Sequence, residues 1–116
     1  MTGVTIAVCA TQPHLADLGT ALAEADPTLR VLHDQERAVL VLARGEHPVI
    51  TVEAPVLVRV PGEASRLLGP TMRQADGPAW WVHYHYAAGD TEAAALAAEA
   101  GHRLALQCDG ALWQSS

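Results

Sequence analysis

Between residues 29 and 60 three extended, β-branched segments follow one another: "LRVLH" (29–33), "AVLVLA" (38–43) and "PVITVEAPVLVRV" (48–60). Only the polar turns "DQER" and "RGEH" separate them. Connections this short cannot hold a crossover, so each strand must run antiparallel to its neighbour. The chain must therefore build an antiparallel sheet and cover at least one of its faces. Pro55 interrupts the third segment. Because proline cannot donate to a ladder, it predicts a split, a bend or an edge position there.

The flanking sequence supplies the cover. "VTIAVCA" (4–10) reads as another strand. "TQPHLADLGTALAEADP" then predicts a helix with Thr11 as cap, Pro13 in the first turn and Pro27 as stop. Leu15, Leu18, Leu22 and Ala25 fall on one of its faces. "PGEASRLLG" (61–69) predicts a short helix, and "PTMRQADGP" after it a loop. A strand over "AWWVHYHYAA" (79–88) precedes a second long helix, capped at Asp90 or Thr91. On that helix Glu99 and Arg103 are spaced as an i,i+4 pair, and Glu92, Glu99, His102 and Arg103 share one polar stripe. Its remaining surface is nearly all Ala and Leu, so the sheet or a partner must cover most of its circumference. "RLALQCDGALWQ" also alternates with period two about Asp-Gly, which admits a hairpin over 103–114. Helix propensity with Gly110 as C-cap favours a helix tail followed by a strand. The expected architecture is an α+β domain of two layers, a mostly antiparallel sheet covered by helices. Its order is βαβββαβαβ, in a single globular domain over 1–116.

Composition narrows function by exclusion. With 116 residues, 50% of them hydrophobic and 17% charged, the chain can bury a core and lacks the signature of disorder. A net charge of −6 repels phosphate backbones, so no nucleic-acid partner is expected. Lysine is absent, which removes Schiff-base chemistry and the lysine of a phosphate-binding loop. With no signal-like start and no apolar run of membrane length, no membrane span is expected and a cytoplasmic location is. Cys9 and Cys108 lie far apart in the sequence without zinc or redox spacing and read as small buried hydrophobes.

The chemistry concentrates in "WWVHYHY" (80–86), in a chain that has no Phe. Strand alternation sets Trp81, His83 and His85 on one face, against Trp80, Val82, Tyr84 and Tyr86 on the other. The Trp80/Tyr84/Tyr86 face is expected to pack under the helices. The Trp81/His83/His85 face is the candidate contact surface, since Trp and Tyr are enriched where proteins meet. Alternatively, His83 and His85 anchor a divalent transition metal such as zinc. That would need a further ligand, for which Asp90, Glu53, His47 and His102 are candidates and none is set by local spacing. The run from Gly77 through His83 and His85 to Asp90 is similar to the first metal motif of the cupins, with aspartate for glutamate, but an Ala-rich helix follows where a cupin continues in strands. Other pairings carry less: Cys9 with His14 as nucleophile and base, and Glu53 with Glu63 as paired carboxylates.

"VEAPVLVRVPGEASRLLG" (52–69), "GPAWWVHYHYAAG" (77–89) and the terminal "GALWQ" resemble the N-terminal region of a family of uncharacterised actinobacterial proteins encoded beside type VII secretion genes. The likeness covers the second half of the chain well and the first half loosely. Many members of that family are longer, so this chain either stands alone or is a fragment. The shared motifs are apolar, and the family offers no catalytic residues to carry over. What the resemblance implies is a non-enzymatic interaction module, a secretion-associated adaptor, chaperone-like or immunity protein. Apart from that likeness, an exposed strand edge and the aromatic strand are expected to bind a protein partner or the chain itself as a homodimer, with no cofactor.

Overall fold

A computed structural model describes residues 2–34, 36–37, 39–75 and 77–115. The β-rich middle forms the expected meander: β1 (Thr2–Cys9) is followed, after a helix, by β2 (Arg30–Asp34), β3 (Val39–Arg44) and β4 (His47–Glu53). Leu32 stands opposite Val41, and Val41 opposite Thr51, so the alternation of the three strands is in phase up to a bulge in the β3–β4 pairing between Leu42 and Ala43. Pro55 splits the third segment in two. β4 ends at Glu53 and β5 (Val56–Val58) begins after the break. Both lie antiparallel to β6 (Ala79–Ala87), β4 through Thr51–His85 and β5 through Val56–Trp81. The order therefore carries one strand more than expected, because the proline lacks the N–H that an unbroken ladder would use there.

Every pairing is antiparallel, and the sheet runs β2-β3-β4-β6-β1-β7, with β5 continuing alongside β6. The N-terminal strand is thus interior, held between β6 and the C-terminal β7 (Ala111–Gln114). Helices α1 (Leu15–Ala25) and α3 (Thr91–Gln107) cover one face, burying Leu18, Ala21, Leu22, Ala97, Ala100 and Leu104 against Ala7, Leu42, Ile50, Val82 and Tyr84. Fully burying a leucine contributes about 2 kcal/mol, so this layer supplies most of the hydrophobic stabilisation. On the opposite face α2 (Glu63–Leu68) and a 3₁₀ turn (Pro70–Ala75) lay Ala64 and Met72 over Ile6, Val8, Ala79 and Trp81. The α+β fold with helices packed on an antiparallel sheet stands, with this partial third layer added.

The expected helix boundaries shift. α1 starts at Leu15 after His14, whose backbone N–H donates to Asp17 Oδ2 at 3.2 Å, and Thr11 lies upstream of the cap. The segment read as a loop after Gly69 contains the 3₁₀ turn. The hairpin alternative at 103–114 gives way to helix then strand. The helix closes one residue earlier than a Gly110 cap would have it: Asp109 takes the left-handed conformation (φ 49°) and the Gly110 N–H reaches back to the Ala105 carbonyl at 2.8 Å. Nor is α3 covered all round, since Leu106 is 70% exposed. Arg103 does pair with Glu99 at 2.8 Å, and it also reaches Glu24 on α1 at 3.2 Å, tying the two long helices together at their solvent side.

Candidate functional site

β6 positions the aromatic and imidazole rings, and its alternation works as expected on the helix side. Tyr84 and Tyr86 are buried beneath the helices and Trp80 packs against the same cluster. The other face divides. Trp81, expected on the contact surface, is 6% exposed and belongs to the small core beneath α2 and the 3₁₀ turn. An indole so covered offers almost no contact area. His83 and His85 lie beyond the edge of that cover and are half-buried.

The two imidazoles stack with centroids 6.1 Å apart and planes 10° from parallel, and Trp81 meets His83 at 6.4 Å and 41°. Across the sheet His83 stands opposite Ile6, while His85 stands between Val4 and Thr51. Glu53, at the end of β4, brings Oε2 to 3.5 Å from His85 Nε2 without forming a hydrogen bond, so the contact becomes an attraction only when that imidazole is protonated. His83 Nδ1 and His85 Nε2 have no hydrogen-bond partner among the described residues. Burial holds the His83 pKa below its ordinary value; Glu53 opposes that shift and His85 adds to it.

Of the candidate third ligands, the fold brings Glu53 to the pair and takes the others elsewhere. Asp90 caps α3, accepting the Ala93 N–H at 3.0 Å. His47 faces Arg44 at the far end of the β3–β4 hairpin, and His102 is exposed on α3, which covers the opposite face. Among the described residues no group of three or more His, Cys, Asp and Glu is placed to hold a metal ion. Glu53 and Glu63 do not form a carboxylate pair: Glu63 hydrogen-bonds Arg66 at 2.8 and 2.9 Å and Glu53 sits by His85.

Sequence spacing missed the approach of Cys9 and Cys108. Both are buried, and the Cys108 carbonyl accepts the Ala10 N–H at 3.1 Å, which stitches the end of β1 to the end of α3. Burial first, and then the neighbouring Cys108 thiol, push the Cys9 thiol up to about 12. That is the reverse of what a nucleophile needs, and His14 is exposed at the start of α1. The Tyr84 hydroxyl is buried close to both thiols, and burial raises its pKa. No local signal announces this meeting, because it depends on two element ends that only the tertiary fold brings together.

The remaining feature is the stretch of sheet that α2 leaves bare. From the edge inward, Leu32, Val41, Thr51 and His85 form one cross-strand row, with Val39 and Glu53 beside it. Leu32 is 40% exposed, and Val39, Val41 and Thr51 are half-buried. Two depressions lie away from this surface, one of about 250 Å³ among Val8, Gly77, Ala79 and Gly110, the other of about 280 Å³ among Gly3, Tyr86, Asp90 and Ser115. No known protein family, curated protein or solved structure matches the chain. The resemblance to the secretion-linked family therefore rests on its motifs alone.

Proposed function

We propose that this protein is a non-enzymatic interaction module that binds a protein partner on the bare half of its sheet. The observation that supports this reading is the row Leu32–Val41–Thr51–His85, a partly apolar surface on paired strands, with the half-buried Val39 beside it. Strands hold such a surface in a fixed shape, which lowers the ordering entropy that a partner must overcome. Together with the resemblance to the type VII secretion-linked family, it supports an adaptor, chaperone-like or immunity role. The test is capture of the products of neighbouring genes on the immobilised protein, beside a Val41→Glu variant checked for folding by circular dichroism. We expect a partner retained by the parent and lost from the variant. Equal retention by both proteins would remove this face from the reading.

A second reading makes His83 and His85 a metal or small-ligand site, supported by the nearness of Glu53 and the unpartnered ring nitrogens. Titration of tag-free protein with zinc, against His83→Ala and His85→Ala, tests it. Stoichiometric binding that both substitutions abolish is the result it requires.

A further inference from the structure

β2 closes one side of the sheet. It pairs with β3 alone, and among the described residues no other backbone–backbone hydrogen bond reaches Arg30–Asp34. An edge of this kind is a template for another strand unless charge, proline, a bulge or a cover blocks it. Here the charges do not block it. The strand reads Arg30-Val31-Leu32-His33-Asp34, with opposite charges at its two ends and an apolar residue at its centre.

We infer that β2 pairs antiparallel with β2 of a second copy of this chain about a two-fold axis at Leu32. The inference rests on the interaction-module reading and names the partner as the chain itself. An antiparallel pair centred on Leu32 sets Arg30 opposite Asp34 of the second copy, and Asp34 opposite its Arg30. Val31 meets His33, and the two Leu32 side chains meet each other. All these pairs share faces correctly, because Arg30, Leu32 and Asp34 stand on the bare side with Ala43, Val41 and Val39, while Val31 and His33 stand on the helix side with Leu42 and Leu40. A one-residue slip destroys both charge pairs, so the register is specified.

The charged groups are available for this role. Arg30 is exposed and has no ion-pair partner among the described residues. Asp34 uses Oδ1 to accept the Glu36 and Arg37 N–H groups at 3.1 and 3.3 Å. Among the described residues its Oδ2 has only the loose approach of Arg37 Nε at 3.8 Å, on a side chain 82% exposed. The exposed Leu32 becomes covered by its own copy, and the bare rows of the two sheets join into one continuous surface. Such an isologous contact uses a single patch twice, so each residue acts at two places.

Sedimentation velocity over a concentration series, extending to several hundred micromolar, tests the pairing. We expect a reversible dimer for the parent chain. Arg30→Asp sets carboxylates opposite each other twice and should weaken association about tenfold, and Leu32→Asp, which places two carboxylates at the axis, at least as much. The double variant Arg30→Asp with Asp34→Arg restores complementary charges at both places and should return to within about threefold of the parent. Its lost turn acceptor lowers its melting temperature, so association is read where circular dichroism shows every variant folded. A dimer that none of the substitutions weakens, or a double variant weaker than Arg30→Asp alone, overturns the β2 pairing. A parent that stays monomeric while capturing another protein on its bare face overturns the pairing and leaves the interaction module standing. A parent that is monomeric and captures nothing overturns both.

Discussion

At the scale of single residues, the junction of β1 and α3 is the most demanding spot in the molecule. A Cβ at Gly110 would lie 2.2 Å from the Val8 carbonyl oxygen and 3.1 Å from Cys9 Cα, both backbone atoms that cannot step aside. As a helix C-cap Gly110 would serve through its conformational freedom, yet Asp109 takes the left-handed turn and Gly110 is needed for close approach. Gly77 is a fair control, because a Cβ there meets nothing within 4 Å and no positive φ is involved. Gly110→Ala is expected to cost about 2 kcal/mol or more in urea-unfolding free energy through overpacking. Gly77→Ala should stay within about 0.5 kcal/mol, as surface substitutions do. Similar losses for the two would mean that backbone entropy, and not contact, governs position 110.

At the scale of elements, β6 shows how far alternation can be trusted. Period two placed Tyr84 and Tyr86 under the helices and His83 and His85 on the opposite face, as the structure has them. It could not foresee that α2 and the 3₁₀ turn would cover Trp81, because nothing in "PGEASRLLG" states which face the chain will cross. Glu53 joined the histidines for the same kind of reason: β4 had to pair with β6 for Thr51 to stand opposite His85. The meander, the long helices and the split at Pro55 follow from local signals, whereas the site depends on which strands become neighbours. A pH effect belongs to this element. His83 has an ordinary pKa of 6.5 in the unfolded chain and a lower one when folded, mainly through burial, with His85 beside it. The unfolded state therefore binds a proton that the folded state resists. Stability is full above 6.5 and declines as pH falls from 6.5 towards the folded pKa. The melting temperature should drop between about pH 7.5 and pH 5.5, and His83→Gln should flatten that drop. An equal slope in parent and variant would show that another group carries the proton.

For the whole molecule, the arrangement of the termini matters most. β1 is the first strand described and β7 the last, yet Ile6 pairs with Trp113 and Thr5 with Gln114. The Ser115 hydroxyl accepts the Val4 N–H at 3.1 Å, and the Ser115 N–H returns a bond to the Val4 carbonyl at 3.0 Å. Neither half of the chain can complete the sheet alone, because β1 also needs β6, over 70 residues downstream along its full length of eight pairs. Loop closure must be met before these contacts stabilise anything, which makes folding cooperative and late in its central step. Removing residues 111–116 deletes β7 and uncovers one edge of β1. It also takes Leu112 from the main core and Trp113 from the smaller one. Burial of such side chains contributes roughly 1.5–3 kcal/mol each, and the lost ladder adds to that, against a total stability of about 5–15 kcal/mol for a domain of this kind. The shortened chain is therefore expected to lose most of its cooperative unfolding transition in urea and the amide dispersion of its NMR spectrum. Retention of a sharp transition at the parent midpoint would show instead that β1, β6 and the helices form the stable unit and that β7 is only appended to it.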